Sequence, residues 1–131
     1  MKIFGLGTDI VNIKRIENLL AKHGSIFKNK IFSKSEIAYC EKKKNCAPYY
    51  AKRYAAKEAF LKALGVGISK GFVLKNIEIL NDKAGKPLIK LKGKTLLLFK
   101  KKIKSKKYQI DLSLSDDNPW ALATVIISCY K

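Results

Sequence analysis

Histidine, cysteine and long apolar runs are scarce in this sequence of 131 residues, and each shortage excludes a class of chemistry. The single histidine, His23, rules out a multi-histidine metal site or a histidine-based triad within one chain. The three cysteines are an odd set without a two-residue spacing, which argues against a disulfide framework and a thiolate zinc site. Any chemistry must therefore use carboxylates, lysines, hydroxyls or an added cofactor.

The longest apolar runs, residues 95–99 and 121–127, are far shorter than the roughly 20 residues of a membrane-spanning helix. The N-terminus meets Asp9 before any long apolar stretch, so it also lacks the apolar core of a signal peptide. We therefore expect a cytoplasmic protein with no membrane partner.

Acidic residues are few as well: 10 stand against 28 lysines and arginines, which gives a formal net charge of +18. Such a field attracts polyanions, whether nucleic acid, anionic lipid, a phosphorylated cofactor or an acidic protein. Composition does not choose among them, and ordinary solvated surface also explains many of the lysines. One alternative is a small basic nucleic-acid-binding module, which rests on the charge and on Tyr49, Tyr50 and Tyr54.

The first half of the chain is mainly helical in pattern. Apolar residues at 3–11 predict a strand, and Asn12 follows that strand as a helix N-cap. Ser33 and Glu36 have the spacing of a capping box at the start of another helix. The predicted helices are a first that stops near Gly24, a second from Ser33 toward residues 42–44, and a third from Pro48 to Leu64.

The second half changes to a period of two. Alternation at 76–80 and 88–92, separated by turn residues at 81–87, predicts a β-hairpin. A short helix at 95–104 with Leu96, Phe99 and Ile103 inward precedes strands at 108–115 and 120–130, joined by a turn at 116–119. With 47% hydrophobic residues, the sequence predicts one α+β domain, residues 1–131, in which helices pack with a mainly antiparallel sheet.

Candidate chemistry lies on the third helix and at the end of the first strand. Glu58 and Lys62 share one helix face, although an ordinary surface ion pair would explain that spacing. Asp9 follows Gly7 at the strand end, where a carboxylate is costly to bury unless it is paired or bound to a metal. A turn or cap role is the alternative for Asp9. Two carboxylates and a lysine are also what Mg²⁺ on phosphate oxygens requires, and Mn²⁺ has the same ligand preference.

Two long motifs then resemble a known family. Residues 5–11, GLGTDIV, with 14–17, KRIE, resemble the opening of the bacterial holo-[acyl-carrier-protein] synthases. Residues 53–60, RYAAKEAF, with 62–65, KALG, resemble the second signature of that family. GKP at 85–87 and ALATV at 121–125 follow in the expected order, so the resemblance covers nearly the whole chain.

The resemblance implies a 4′-phosphopantetheinyl transferase-like fold and activity. Such an enzyme moves the 4′-phosphopantetheine arm of coenzyme A to a serine of apo acyl carrier protein and releases adenosine 3′,5′-bisphosphate. By similarity, Asp9 and Glu58 would ligate Mg²⁺ on the pyrophosphate of coenzyme A, and Glu58 would help deprotonate the serine through a water. Lys62 would contact the phosphates, which makes Asp9, Glu58 and Lys62 the expected catalytic residues.

The same resemblance implies a coenzyme-binding set and an assembly. Arg53 is expected near the adenosine 3′-phosphate, and the coenzyme-binding set comprises Arg53, Lys57, Lys62 and Gly65. Gly65 also has a simpler role as a helix stop. Small members of the family are homotrimers with active sites between subunits.

Acyl carrier proteins are acidic, which gives the positive charge a purpose. The predicted docking surface is the basic face of the first helix, with Lys14, Arg15 and Lys22. Asp116 aligns where many relatives carry histidine, so no catalytic role is carried over to Asp116.

Overall fold

The computed structural model describes residues 1–67 and 71–130. Five strands are present in this part of the chain: β1 (Lys2–Asn12), β2 (Ile77–Asn81), β3 (Pro87–Leu91), β4 (Lys107–Asp117) and β5 (Trp120–Tyr130). The helices are α1 (Ile13–Ile31), α2 (Lys34–Glu41), α3 (Ala47–Leu64) and α4 (Gly93–Ile103), with a 3₁₀ turn at Leu74–Asn76. None of these helices combines the length and the apolar character needed to cross a membrane.

The strands form two antiparallel sheets, which confirms the predicted α+β class. The larger sheet has the order β1-β5-β4, and the predicted hairpin, β2–β3, makes a separate two-stranded sheet. Strand β4 continues to Asp117, so the turn expected at 116–119 narrows to Asn118 and Pro119, which are joined by a cis peptide bond. The first and last strands of the chain are therefore direct neighbours.

The first helix is longer than the sequence predicted. Its N-cap is Asn12 as expected, with the side chain accepting a hydrogen bond from the Lys14 amide at 2.9 Å. The first regular segment ends at Gly24 as predicted, and a second helical segment, which the sequence did not predict, follows the kink and runs to Ile31. Gly24 adopts φ 45° and ψ −121°, which a residue without a side chain tolerates. The segment beyond the bend continues because Phe27 and Ile31 pack against the core.

The other helix boundaries follow local chemistry. Both hydrogen bonds of the predicted capping box between Ser33 and Glu36 are present at the start of α2. Helix α3 begins one residue before Pro48 and ends at Gly65, which takes a left-handed conformation with φ 81°. In α4, Phe99 and Ile103 are buried as expected, while Leu96 is only partly buried and Thr95 is buried instead.

Helix α3 lies directly against β1, and two glycines make that approach possible. A Cβ atom on Gly7 would collide with the carbonyl oxygen of Ala59, and one on Gly5 with that of Ala63. The α3 residues at this contact are alanines, whose small side chains also allow the two backbones to approach closely. The end of β1, with Asp9, is thereby held beside the middle of α3.

Candidate active site

Asp9 and Lys62 meet where β1 crosses α3. The Lys62 ammonium donates to the Asp9 carboxylate oxygen Oδ1 and to the Thr8 carbonyl, each at 3.0 Å. Asp9 is largely buried, with 16% of its side chain exposed, whereas Lys62 is 56% exposed. Two of the three ammonium hydrogens are used by the protein, so one remains for a ligand.

Glu58 stands one turn before Lys62 and is half-buried at the same place. Burial raises the pKa of Glu58, and the nearby Asp9 carboxylate raises it further, while the Lys62 and Arg15 charges act in the opposite direction. The two carboxylates therefore interact across β1 and α3, although they are 49 positions apart in the sequence. Two like charges that interact in this way favour binding of a proton or a cation.

Tyr54 and Arg15 complete the surroundings of Glu58. The Arg15 guanidinium carbon lies 5.8 Å from the centre of the Tyr54 ring. Burial raises the pKa of Tyr54, and the Glu58 charge raises it further. Sequence reasoning placed Arg15 in the docking surface alone. The four-residue spacing from Tyr54 to Glu58 was the available signal that an aromatic side chain borders the carboxylates.

The donor set suits a hard cation that shares its coordination with phosphate. Among residues 1–67 and 71–130, no three His, Cys, Asp or Glu side chains are grouped closely enough to hold a metal ion alone. Mg²⁺ takes oxygen ligands, keeps several waters, and is commonly bound by one or two carboxylates together with substrate phosphates. Asp9 and Glu58 fit that requirement.

Arg53 lies one helical turn from Lys57, in a cleft between α2, α3 and β2. The cleft, called the Arg53 cleft below, is lined by Ser35, Tyr39, Arg53, Ile79, Leu80, Asn81 and Asp82. Only 2% of Arg53 is exposed, and its guanidinium carbon lies 4.1 Å from the centre of the Tyr39 ring. Its Nη2 donates to Asn81 at 2.7 Å and its Nη1 to the Tyr49 carbonyl at 3.4 Å, while its Nε has no hydrogen-bond partner among the described residues. Arg53 therefore brings a permanent positive charge to the wall of the cleft, although its Nε atom is itself buried.

Lys57, predicted to bind the coenzyme, points into the interior instead. No part of its side chain is exposed. Its ammonium donates to Glu36 at 2.8 Å and to the carbonyls of Leu74 and Ile77 at 2.8 and 2.7 Å. All three hydrogens are therefore used within the protein, and Lys57 is removed from the coenzyme-binding set.

The remaining predicted residues lie at the surface. The Gly65 amide donates to the carbonyls of Leu61 and Lys62, so it caps α3 and is not free for a phosphate. Lys14, Arg15 and Lys22 are exposed on α1. Asp116, left without a role, pairs with Lys52 at 2.8 Å.

Fold and site together define a class: a small α+β protein with two carboxylates and a lysine where a strand crosses a helix. A sequence profile described as the 4′-phosphopantetheinyl transferase superfamily matches residues 5–125. The chain belongs to this superfamily. It is 46% identical over 128 residues to a holo-[acyl-carrier-protein] synthase of Wolbachia pipientis, covering 95% of this chain and 97% of that one.

Solved structures agree with this assignment. The holo-[acyl-carrier-protein] synthase of Neisseria meningitidis is 37% identical, with a TM-score of 0.84 over 96% of this chain and 98% of that one. The Helicobacter pylori enzyme of the same name, solved in complex with coenzyme A, is 34% identical. Its TM-score is 0.80 over 94% of this chain and 99% of that one.

Proposed function

We propose that this chain transfers the 4′-phosphopantetheine arm of coenzyme A to a serine of apo acyl carrier protein. The observation that carries the proposal is the Asp9, Glu58 and Lys62 cluster, in a chain whose relatives are named for this reaction. The serine oxygen forms a bond to the phosphorus that bears pantetheine. The bond from that phosphorus to the bridging oxygen breaks, and adenosine 3′,5′-bisphosphate leaves.

Asp9 and Glu58 would hold Mg²⁺, or Mn²⁺, on the pyrophosphate. The ion would supply positive charge against the charge that develops on the phosphate oxygens. Lys62 would add a second positive charge at the phosphates, because one of its ammonium hydrogens is left after the bonds to Asp9 and Thr8. The raised pKa of Glu58 suits a group that receives the serine proton through a water.

The Arg53 cleft would take the other end of coenzyme A, its 3′-phosphate. Arg53 brings a permanent positive charge to the cleft lining, and Tyr39 offers an aromatic face nearby. A charge-assisted hydrogen bond to phosphate is among the stronger polar contacts in proteins. This arrangement supports an anchor for the nucleotide that is separate from the reacting pyrophosphate.

The acidic carrier protein would dock on the exposed basic residues of α1. Lys14, Arg15 and Lys22 lie on the helix that begins directly after β1. Arg15 also contacts Tyr54 beside Glu58, so a partner bound here would bring its serine close to the carboxylates.

We further propose a homotrimer in which each copy of residues 1–131 is one domain. One hydrophobic cluster joins the helices and both sheets. The face of the larger sheet that points away from α3 carries exposed apolar residues, and three monomers joined there would cover them. That face includes Leu6, Ile10 and Leu122, which are 65%, 59% and 40% exposed. A cytoplasmic location stays a prediction from the sequence.

The nucleic-acid alternative receives no support from the tyrosines on which it rested. Tyr50 is fully buried and donates its hydroxyl to Glu41, so it cannot stack on a base. Tyr49 is flanked by Lys43 and Lys52, and Tyr54 lies against Arg15. We therefore do not propose it.

The test of the enzymatic proposal is the mass of apo acyl carrier protein after incubation with the protein, coenzyme A and Mg²⁺. We expect the mass of one phosphopantetheine group to be added, and no addition when the divalent ion is chelated. Glu58→Gln should lower kcat/KM by at least about a hundredfold, because a general base alone contributes roughly 10²–10⁴.

Glu41→Gln is the matched control, since the amide oxygen still accepts the Tyr50 hydroxyl. It should keep wild-type activity. No mass gain with the wild-type protein, or full activity in Glu58→Gln, would contradict the proposal.

A further inference from the structure

Lys57 and Glu36 form a fully buried ion pair beneath the Arg53 cleft. The ammonium and the carboxylate are 2.8 Å apart, and neither side chain has any exposed surface. A pair of this kind is rarely a net source of stability, because removing two charges from water offsets their attraction. Stability alone therefore does not explain this ion pair, whereas a role in holding neighbouring elements in place would.

The pair connects the three elements that build the cleft. Lys57 belongs to α3, and its ammonium also binds the carbonyls of Leu74 and Ile77 at the entry to β2. Glu36 belongs to α2, and its second oxygen accepts the backbone amide of Ile79 in β2 at 3.0 Å. Two charged groups thus join α2, α3 and β2 at one point.

Those same elements supply the cleft walls. Ile79, held by Glu36, lines the cleft itself, and Ser35 and Tyr39 flank Glu36 on α2. Arg53 is one turn before Lys57 on α3, and its partner Asn81 lies two residues after Ile79. A shift of β2 relative to α3 would move Asn81 away from Arg53 and open the cleft.

The hairpin needs such an anchor. Within residues 1–67 and 71–130, strands β2 and β3 pair with each other and not with the larger sheet, so no backbone ladder to that sheet fixes their position. Ser33 and Ser35 donate hydrogen bonds to Glu78 and so tie β2 to α2, while Ile77 and Ile79 add apolar contacts whose burial is not directional. The hydrogen bonds of Lys57 and Glu36 are directional and include α3 as well.

We propose that Lys57, paired with Glu36, is a positioning residue that sets the Arg53 cleft for the 3′-phosphate of coenzyme A. The inference rests on the proposed function. Lys57 acts through Arg53 and Asn81 and does not touch the coenzyme. Loss of the pair weakens recognition of the 3′-phosphate, while the carboxylates at the pyrophosphate keep their chemistry.

The test compares coenzyme A with 3′-dephospho-coenzyme A as donors, through the ratio of their kcat/KM values. We expect kcat/KM of the wild-type protein to be roughly 10–100-fold higher with coenzyme A, which is the contribution expected of one charge-assisted hydrogen bond. In Lys57→Met the ratio should fall to within about threefold of one, through a higher KM for coenzyme A. A purely structural role would lower both activities together and leave the ratio unchanged.

Two further variants make the result specific. Phe99→Leu weakens the core in α4, away from the cleft, and should keep the wild-type ratio even when it lowers the unfolding free energy. Where Lys57→Met yields no folded protein, Glu36→Gln removes the charge and keeps a hydrogen-bond acceptor, and it should lower the ratio in the same way.

Arg53→Gln separates this inference from the function on which it rests. If Arg53→Gln lowers the ratio and the Lys57 and Glu36 variants do not, the positioning role is wrong and the phosphate site stands. If Arg53→Gln keeps the ratio, or the wild-type protein has no preference, the phosphate assignment fails and the positioning role fails with it.

Discussion

At the scale of single residues, consecutive charges on α3 have opposite surroundings. Lys57 is fully buried among protein acceptors, and Glu58 is half-buried beside Asp9. The step of about 100° between neighbouring helical residues is enough to turn one side chain toward the hairpin and the next toward β1. A charged motif therefore does not have one role, because each charge is defined by the element it faces.

Glu78 gives a pH prediction. Hydrogen bonds from Ser33 and Ser35 and the Lys92 charge outweigh burial and lower the Glu78 pKa from 4.5 to about 2. Because the folded-state pKa lies below the unfolded value, the stabilisation is complete above about pH 4.5 and is lost as the pH falls toward 2. We expect Glu78→Gln to lower the unfolding free energy by up to roughly 3 kcal/mol at pH 6, and by much less near pH 2.

Urea unfolding of both proteins at the two pH values measures this difference. Glu17→Gln is the control, because its carboxylate is in an exposed ion pair with Lys14 and should change little at either pH. A Glu78 difference of equal size at both pH values would contradict the prediction.

Only some of the residues of the candidate site were predicted correctly from the sequence. Asp9, Glu58 and Lys62 were named together because the motifs resemble a family, and they now lie together. Lys57 could not be separated from Glu58 by sequence, because its burial depends on Glu36, 21 positions earlier, and on the entry to β2. Long-range partners of this kind leave no local pattern.

At the scale of elements, the contact between β1 and α3 places the site. We predict that Gly7→Ala separates these elements, because the added methyl would lie only 2.0 Å from the Ala59 carbonyl oxygen. The unfolding free energy should fall by about 1–3 kcal/mol, the usual cost of overpacking, and kcat/KM should fall more than the loss of folded protein explains. Chemical unfolding and the carrier-protein mass assay measure the two effects.

Lys2→Ala, in the exposed start of the same strand, is the control and should behave as wild type. A stable and fully active Gly7→Ala protein would show that β1 has room to move without disturbing Asp9.

Elements with local signals were predictable, and those decided by packing were not. The capping box of α2, the N-cap Asn12 and the glycine end of α3 are short-range features, and all three are present. Gly24 interrupts the helix as predicted, but the second segment, up to Ile31, depends on Phe27 packing against the core and was not predicted. The separation of the hairpin from the larger sheet likewise cannot be recognised from any short stretch of sequence.

At the scale of the whole molecule, docking should depend on where positive charge lies and not only on its sum. Lys22→Glu should raise the KM for acyl carrier protein at least about threefold at low ionic strength, because the residue lies on the proposed docking helix. The effect should shrink at 0.5 M salt, where the screening length is only a few ångströms. Steady-state kinetics at two salt concentrations measure it.

Lys100→Glu changes the net charge equally but lies on α4, so it should have the smaller effect. Equal effects of the two variants would mean that only the overall field matters and that α1 is not the docking surface.

The proposed assembly makes a separate prediction. Light scattering should give a mass near three times the 14.8 kDa of one chain. Leu122→Asp, on the outer face of the larger sheet, should shift the mass toward the monomer, because a buried unpaired charge is strongly unfavourable. Leu97→Asp, on α4 and 68% exposed, should leave the mass unchanged. A wild-type monomer would contradict the trimer.

The pairing of β1 with β5 also has a consequence for how the protein is made. The strand that carries Asp9 is synthesised long before its hydrogen-bonded neighbour, Trp120–Tyr130. Until then the backbone groups of β1 lack their ladder, and its apolar side chains remain available to other chains. Contacts this distant in sequence also slow folding. The nascent chain is therefore exposed to aggregation until β5 has emerged and paired with β1.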